Sequence, residues 1–224
     1  MSKRIIYSCV TLKKELENVI AATGFDGEVH FLSEKLHSSP QTMHQVLQQH
    51  IDEAAPDTEE IIICVSGCGK STVGLKATTA PLALPRTMDC IDVLLSGSGA
   101  KRPECAIFLT DGWMNFMKAS ALNHEKMLAE KGAEATAETM RKIYRGFTDF
   151  YIIDTHTYDT TPVKEYIMPL VEMLDGTLNY IDGKYQVLYK LLDGTRDKDV
   201  ISIPKGGVLD ISEFDGLRPA VIKK

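Results

Sequence analysis

The sequence predicts an α/β protein: a doubly wound, mostly parallel, Rossmann-like sheet with helices on both faces. Three observations predict it. Short β-rich runs alternate with helical patterns through the first half of the chain. One of those runs, "EEIIICVSG", is apolar almost throughout, as strands buried on both faces of a parallel sheet are. The length of 224 residues suits one such domain (1–224), with two small lobes, 1–100 and 101–224, as a possible subdivision.

Taken in order, "RIIYSCV" reads as a strand and "LKKELENVIAATG" as a helix stopped by Gly24. "EVHFL" is the second strand. "SPQTMHQVLQQHIDEAA" is a helix with Ser39 placed to cap it and Pro40 at its first position, where a missing N–H is harmless. The apolar run follows, then "PLALP", then "CIDVLLSG" in or beside the next sheet segment, then "CAIFLTDGW". A long helix rich in Ala, Glu, Lys and Met is predicted from Asn115 to Tyr144. "DFYIIDT" is another strand, and "VKEYIMPLVEMLDG" a helix ending on Gly176. Beyond it, "TLNYIDGKYQVLYKLLDG" and "DVISIPKGG" hold a helix or hairpin and a last edge strand, which pattern alone does not separate. The Gly/Ser-rich "SGSGAKRPE" reads as a loop.

A net charge of −6, with no basic cluster, argues against nucleic acid as a partner. No apolar run approaches the roughly 20 residues of a membrane helix. "MSKRIIYSCV" passes from charge into a strand without a signal peptide's apolar core, so a cytoplasmic protein is expected. Five cysteines, an odd number, speak for reduced thiols rather than a disulfide framework.

"VSGCGKSTVGL" imitates the phosphate-binding loop G-x-x-x-x-G-K-[ST], with Lys70 and Ser71 in its last two places. The first glycine of that pattern lets the backbone turn out of the strand. Here Cys64 occupies that place, inside the apolar run. Asp111 and Asp154 are the acids available for magnesium. A nucleotide-binding protein is therefore the lesser reading, although backbone amides after the strand still suit some anion.

In open α/β sheets, ligands sit beyond the carboxyl ends of the strands. Cys9 ends the first strand, His37 follows the second, Cys68 ends the third, and Cys90 lies in or beside the next sheet segment. Residues far apart in sequence are thus expected at one sheet edge, while Cys64 and Cys105 are expected to be structural. Three thiolates suit zinc with an open fourth position, or a cubane iron–sulfur cluster with one iron open; the cluster is favoured slightly. An oxygen-poor donor set disfavours magnesium and calcium.

Around that centre, Arg86 is a candidate fork for a substrate carboxylate or phosphate. Asp89 is a candidate proton carrier, with a surface ion pair as the alternative for both. His37 is a fourth ligand, a general base or a helix-entry residue. Gly69, Gly74 and Lys70 are candidate cofactor contacts, and Trp113 a pocket wall or a core residue. Asp154 and His156 are further candidates; His30, His44, His50 and His124 need no function.

The segments "SCVTLKKEL", "FLSEKLHSSP", "CGKSTVGLKA", "LPRTMDCIDVLLSGS" and "FLTDGW" together make the chain resemble a family, domain of unknown function 1638, over most of its length. The resemblance maps family positions onto Cys9, His37, Pro40, Cys68, Gly69, Gly74, Arg86, Asp89, Cys90, Gly112 and Trp113. Two departures stand out. Met88 replaces a His before Asp-Cys, which weakens a His-x-Cys zinc motif, and Lys70-Ser71 replace Asn-Gly, which creates the phosphate-loop mimicry. The resemblance implies corrinoid-dependent methyl transfer, a one-carbon setting, and a corrinoid or methyltransferase partner protein. The expected function is a metal-thiolate enzyme acting on a small sulfur- or methyl-bearing substrate. The alternative is an accessory protein that hands a metal or cofactor to an enzyme.

Overall fold

The computed structural model describes residues 3–217; Met1 and Ser2, where the N-terminal reading began, lie outside them. The described chain forms two compact units, 3–97 with 184–217 and 98–183. The first boundary falls inside the Gly/Ser-rich loop "SGSGAKRPE", and the chain returns to the first unit at residue 184.

The first unit is built on β1 (Arg4–Cys9), α1 (Lys13–Thr23), β2 (Glu28–Leu32), α2 (Pro40–Glu53), β3 (Glu60–Cys64), β4 (Leu82–Pro85) and α3 (Cys90–Leu95). Its strands form a five-stranded sheet in the order β2-β1-β3-β4-β8, parallel except at the last pair. The edge strand β8 (Val200–Ile203) runs antiparallel to β4. Register sets Ile6 beside Ile62 and Ser8 beside Cys64. Alternation then divides the faces. Tyr7, Cys9, Ile61 and Ile63 share one apolar cluster with Met43, Leu47 and Ile51, which recur at helical spacing along α2. Ile6 and Ile62 are fully buried and point the other way, the side of α1 and α8 (Gln186–Asp193). Each such side chain contributes roughly 1.5–3 kcal/mol by leaving water. At the amino end of the strands Glu60 takes Arg4 at 3.0 Å and Arg196 at 2.5 Å, and Arg4 also donates to the last carbonyls of α8, Leu191 and Leu192. That cation suits a helix C-terminus.

The second unit carries β5 (Ala106–Leu109), α4 (Asp111–Ala119), α5 (His124–Lys131), α6 (Ala133–Ile143), β6 (Asp149–Asp154), α7 (Thr161–Met173) and β7 (Thr177–Asp182). Its three strands pair in parallel, β5-β6-β7. Phe150, Ile152, Ile167 and Leu170 centre its core.

Two elements differ from the sequence expectation. "CIDVLL" is the helix α3, not a sheet segment, because Asp89 caps it: its Oδ1 accepts from the Asp92 N–H at 3.0 Å. The long helix is three helices. Asn123 stops and restarts it as the cap of α5, and Gly132 divides α5 from α6 at φ +79°, where glycine is at ease. The ambiguous C-terminal stretches resolve into β7, α8 and β8.

Candidate functional site

Cys9 is the last residue of β1 and is buried. The third strand ends at Cys64, and three further buried residues lead into a 3₁₀ turn, Cys68–Lys70. Two bonds tie this turn to the segment after β4. The Gly67 N–H donates to the Thr87 carbonyl at 3.1 Å, and the Ser66 and Thr87 hydroxyls meet at 2.7 Å. Three residues beyond Thr87 comes Cys90, the first residue of α3. The sequence thus folds Cys68 and Cys90 together through the backbone around residues 66 and 87.

The pair is asymmetric. Cys68 is partly exposed and Cys90 buried. Hydrogen bonding from the Cys90 thiol, and then from the Cys90 and Cys68 N–H groups, holds the Cys68 thiol below its ordinary value, against burial and the charge of Asp89. Cys90 is pushed the opposite way by that same bond, by burial, and by the charges of Cys68, Asp89 and Cys9. Cys9 is raised by burial and by the charges of Cys68 and Cys64. Cys64, expected to be structural, is fully buried and pushed up to about 12 by burial. Cys105 differs from that expectation: it precedes β5, is only partly buried, and lies at φ +55°. Two hydroxyls near the sulfurs in sequence, on Thr11 and Ser71, are buried without a protein partner among the described residues. Such groups are rare in folded proteins. Among the described residues no three His, Cys, Asp or Glu side chains stand close enough to hold an ion as they are placed.

The remaining sequence-derived candidates are placed as follows. Arg86 does not open toward a ligand: its Nε donates to the Glu213 carbonyl at 2.7 Å and Nη2 to the Asp215 carbonyl at 3.0 Å. The guanidinium fork fastens the C-terminal segment instead. Asp89 caps α3, so its Oδ1 has a structural duty, while its charge still acts on both thiols. His37 sits in a 3₁₀ turn, Glu34–Ser38, where burial, opposed by the charge of Glu34, lowers its pKa. Trp113 belongs to the second unit, in the first turn of α4, with its indole edge-on to Phe116 at 5.1 Å. Asp154 and His156 are also in the second unit, where the imidazole meets Asp182 at 2.8 Å and Asp154 at 3.3 Å.

The phosphate-loop geometry is not formed. A short 3₁₀ turn follows β3 where that motif requires a helix. The N–H groups of Gly67, Lys70, Ser71, Val73 and Gly74 all donate to the chain's own carbonyls. Gly69 and Gly74 have packing reasons to be glycine: at Gly69, φ +56°, a Cβ would meet the Pro40 ring at 2.6 Å, and Gly74 lies at φ +86° beside His44.

A cleft of about 610 Å³ opens between the first turns of α2 and this turn, with Gln41, His44 and Gln45 on one side and Gly69 and Lys70 on the other. Sequence reasoning passed over His44 as a helix-face residue. The signal was available in the polar i, i+3, i+4 spacing of 41, 44 and 45 at the start of a capped helix.

An α/β sheet edge that brings the Cys68 turn and the start of α3 at Cys90 onto tied neighbouring segments defines the site. The family described as protein of unknown function (DUF1638) matches residues 31–192, and the chain belongs to it. No curated protein and no solved structure matches the chain. Among the described residues no helix is long and apolar enough to cross a membrane.

Proposed function

We propose that Cys68, Cys90 and Cys9 form a sulfur centre for a soft metal, an iron–sulfur cluster ahead of zinc, and that the protein is an enzyme acting there on a small sulfur- or methyl-bearing molecule. The observation that carries this reading is the stitching of the Cys68 turn to the segment before Cys90, through the Gly67 N–H on the Thr87 carbonyl and the Ser66–Thr87 hydroxyl pair; Cys68 is favoured as thiolate and Cys90 disfavoured, with Cys9 in the same field. The donor chemistry fits, because the set is all sulfur, and the orphaned Thr11 and Ser71 hydroxyls are donors awaiting an acceptor. Cys68 would be the first sulfur to ligate, and Cys90 and Cys9 would give up thiol protons on joining it. When bound, the metal would supply an open coordination position for substrate. Asp89 orients α3 and hence Cys90. The corrinoid or methyltransferase partner rests on the family resemblance and belongs to the same proposal.

Elemental analysis and a visible absorption spectrum of anaerobically purified protein test it. Iron with sulfide, or zinc, is expected in the wild type and in Cys105→Ser, and is lost in Cys68→Ser. Metal-free wild-type protein, or equal metal in Cys68→Ser, defeats it.

The differing exposure of these two interacting thiols favours a second reading, a reversible disulfide between Cys68 and Cys90. Two S–H bonds would break, one S–S bond would form, and two electrons and two protons would pass to a disulfide oxidant. Mass spectrometry after oxidised glutathione and alkylation separates this reading from the first: a Cys68–Cys90 cross-link in metal-free protein supports it, and two free thiols oppose it.

A further inference from the structure

We infer that the cleft between α2 and the turn after Cys68 binds the anionic group of a small molecule, a carboxylate or a phosphate, with Lys70 as its countercharge. At about 610 Å³ the cleft has the size of a small-molecule site. Lys70 lies on its wall, exposed, and among the described residues its ammonium forms no ion pair or hydrogen bond. Among the described residues no acidic side chain lines the cleft with it.

The backbone makes that lysine notable. Lys70 is held at φ +65°, directly after Gly69 at +56°. A side chain is strained in that region where glycine would not be. What lysine offers and glycine lacks is the charged arm in the cleft.

Facing it, His44 has a fixed tautomer. Its Nδ1 lies 3.1 Å from the Ser71 carbonyl, which only accepts, so Nδ1 carries the proton. In the neutral ring the lone pair is then on Nε2, which has no partner among the described residues. It is fitted to accept from a hydroxyl or amine next to the ligand's anionic group. The Gln41 and Gln45 amides on the same helix face likewise make no hydrogen bond among the described residues. The walls are set by close packing of Gly69 on Pro40 and of Gly74 near His44, so the site is formed before a ligand arrives. None of these groups is a sulfur, and the inference stands whatever Cys68 binds.

Titration with inorganic phosphate and, separately, with acetate tests it, sodium chloride holding ionic strength constant. The reporter is the NMR signal of the His44 Cε1–H, assigned by its loss in His44→Gln. Saturable movement of that signal is expected with one or both anions, in wild type and in Cys68→Ser alike. The tighter anion tells a phosphorylated ligand from a carboxylic acid. Lys70→Gly, which relieves the strained backbone and so keeps the fold, should weaken binding about tenfold, as loss of one charge-assisted contact does, and Lys70→Arg should retain it. No saturable movement with either anion, or equal affinity in Lys70→Gly, overturns the inference.

Discussion

In the first unit the parallel strands run out into sulfur; in the second they run out into carboxylates. Cys9 ends β1 and Cys68 follows β3, whereas Asp154 ends β6 and Asp182 ends β7. The topological address is the same in each unit taken by itself, yet the surroundings differ. Cys9, Cys64 and Cys90 are buried, and their protonation is governed by desolvation and by one another. The two carboxylates are joined by His156, which is 64% exposed, where water screens what the contact is worth. A sheet edge supplies a place for chemistry; burial decides whether the groups there are changed by it.

The largest effect expected from this contrast is on thiol reactivity. In metal-free protein at neutral pH, iodoacetamide should modify Cys68 ahead of Cys9, Cys64 and Cys90, as peptide mapping would show. Cys90→Ala should slow that reaction, because the donor stabilising the Cys68 thiolate is gone. An unchanged rate would remove the asymmetry from the pair.

Alkaline unfolding comes next. Folded Cys64 stays protonated up to about 12, while the unfolded thiol ionises at its ordinary 9.0. Its contribution is therefore complete below 9.0 and is lost as pH rises from there to about 12. For Tyr144 in the second unit the corresponding loss starts higher, at the unfolded phenol's ordinary 10.0, and runs to about 12, to which burial raises the folded group. Stability against pH in urea should lose part of its slope from pH 9.0 in Cys64→Ala, and only above 10.0 in Tyr144→Phe. Coincident curves would erase the distinction.

A smaller effect is expected at Asp89. Asp89→Ala should cost about 1 kcal/mol of stability by uncapping α3, yet quicken Cys68 alkylation, since the aspartate charge opposes the thiolate. Denaturant titration and the alkylation rate should move in opposite directions. Smallest is Asp182→Asn, which should change stability by less than about 0.5 kcal/mol by thermal melting, as exposed ion pairs do.

Much of the fold was legible because its strongest signals are local. The run from Glu60 to Cys64 read as a doubly buried strand and is one, and Ser39-Pro40 marked the start of α2 to the residue. "CIDVLL" was ambiguous because a six-residue apolar run serves either a buried strand or a short helix. Asp89 three residues before Asp92 was the deciding signal, and it was read as chemistry rather than as a cap. At the site, the sheet-edge rule put Cys68 and Cys90 on neighbouring segments, and bonds between residues 66–67 and 87 do tie those segments together. Arg86 was illegible for a different reason: its partners are backbone carbonyls at Glu213 and Asp215, and a main-chain acceptor leaves no mark in side-chain identity. His44 was hidden in the polar face of an amphipathic helix, where solvation is the ordinary explanation.

The antiparallel edge strand has a consequence for how the molecule is made. A ribosome delivers β1 to β4 early, but the free side of β4 is closed only by residues 200–203, after the whole second unit has been synthesised. Until then a nascent chain carries an uncovered strand edge, an Arg4 still without its α8 carbonyls, and an Arg86 still without Glu213 and Asp215. Chaperone dependence during translation should therefore concentrate in the interval between the emergence of β4 and that of β8.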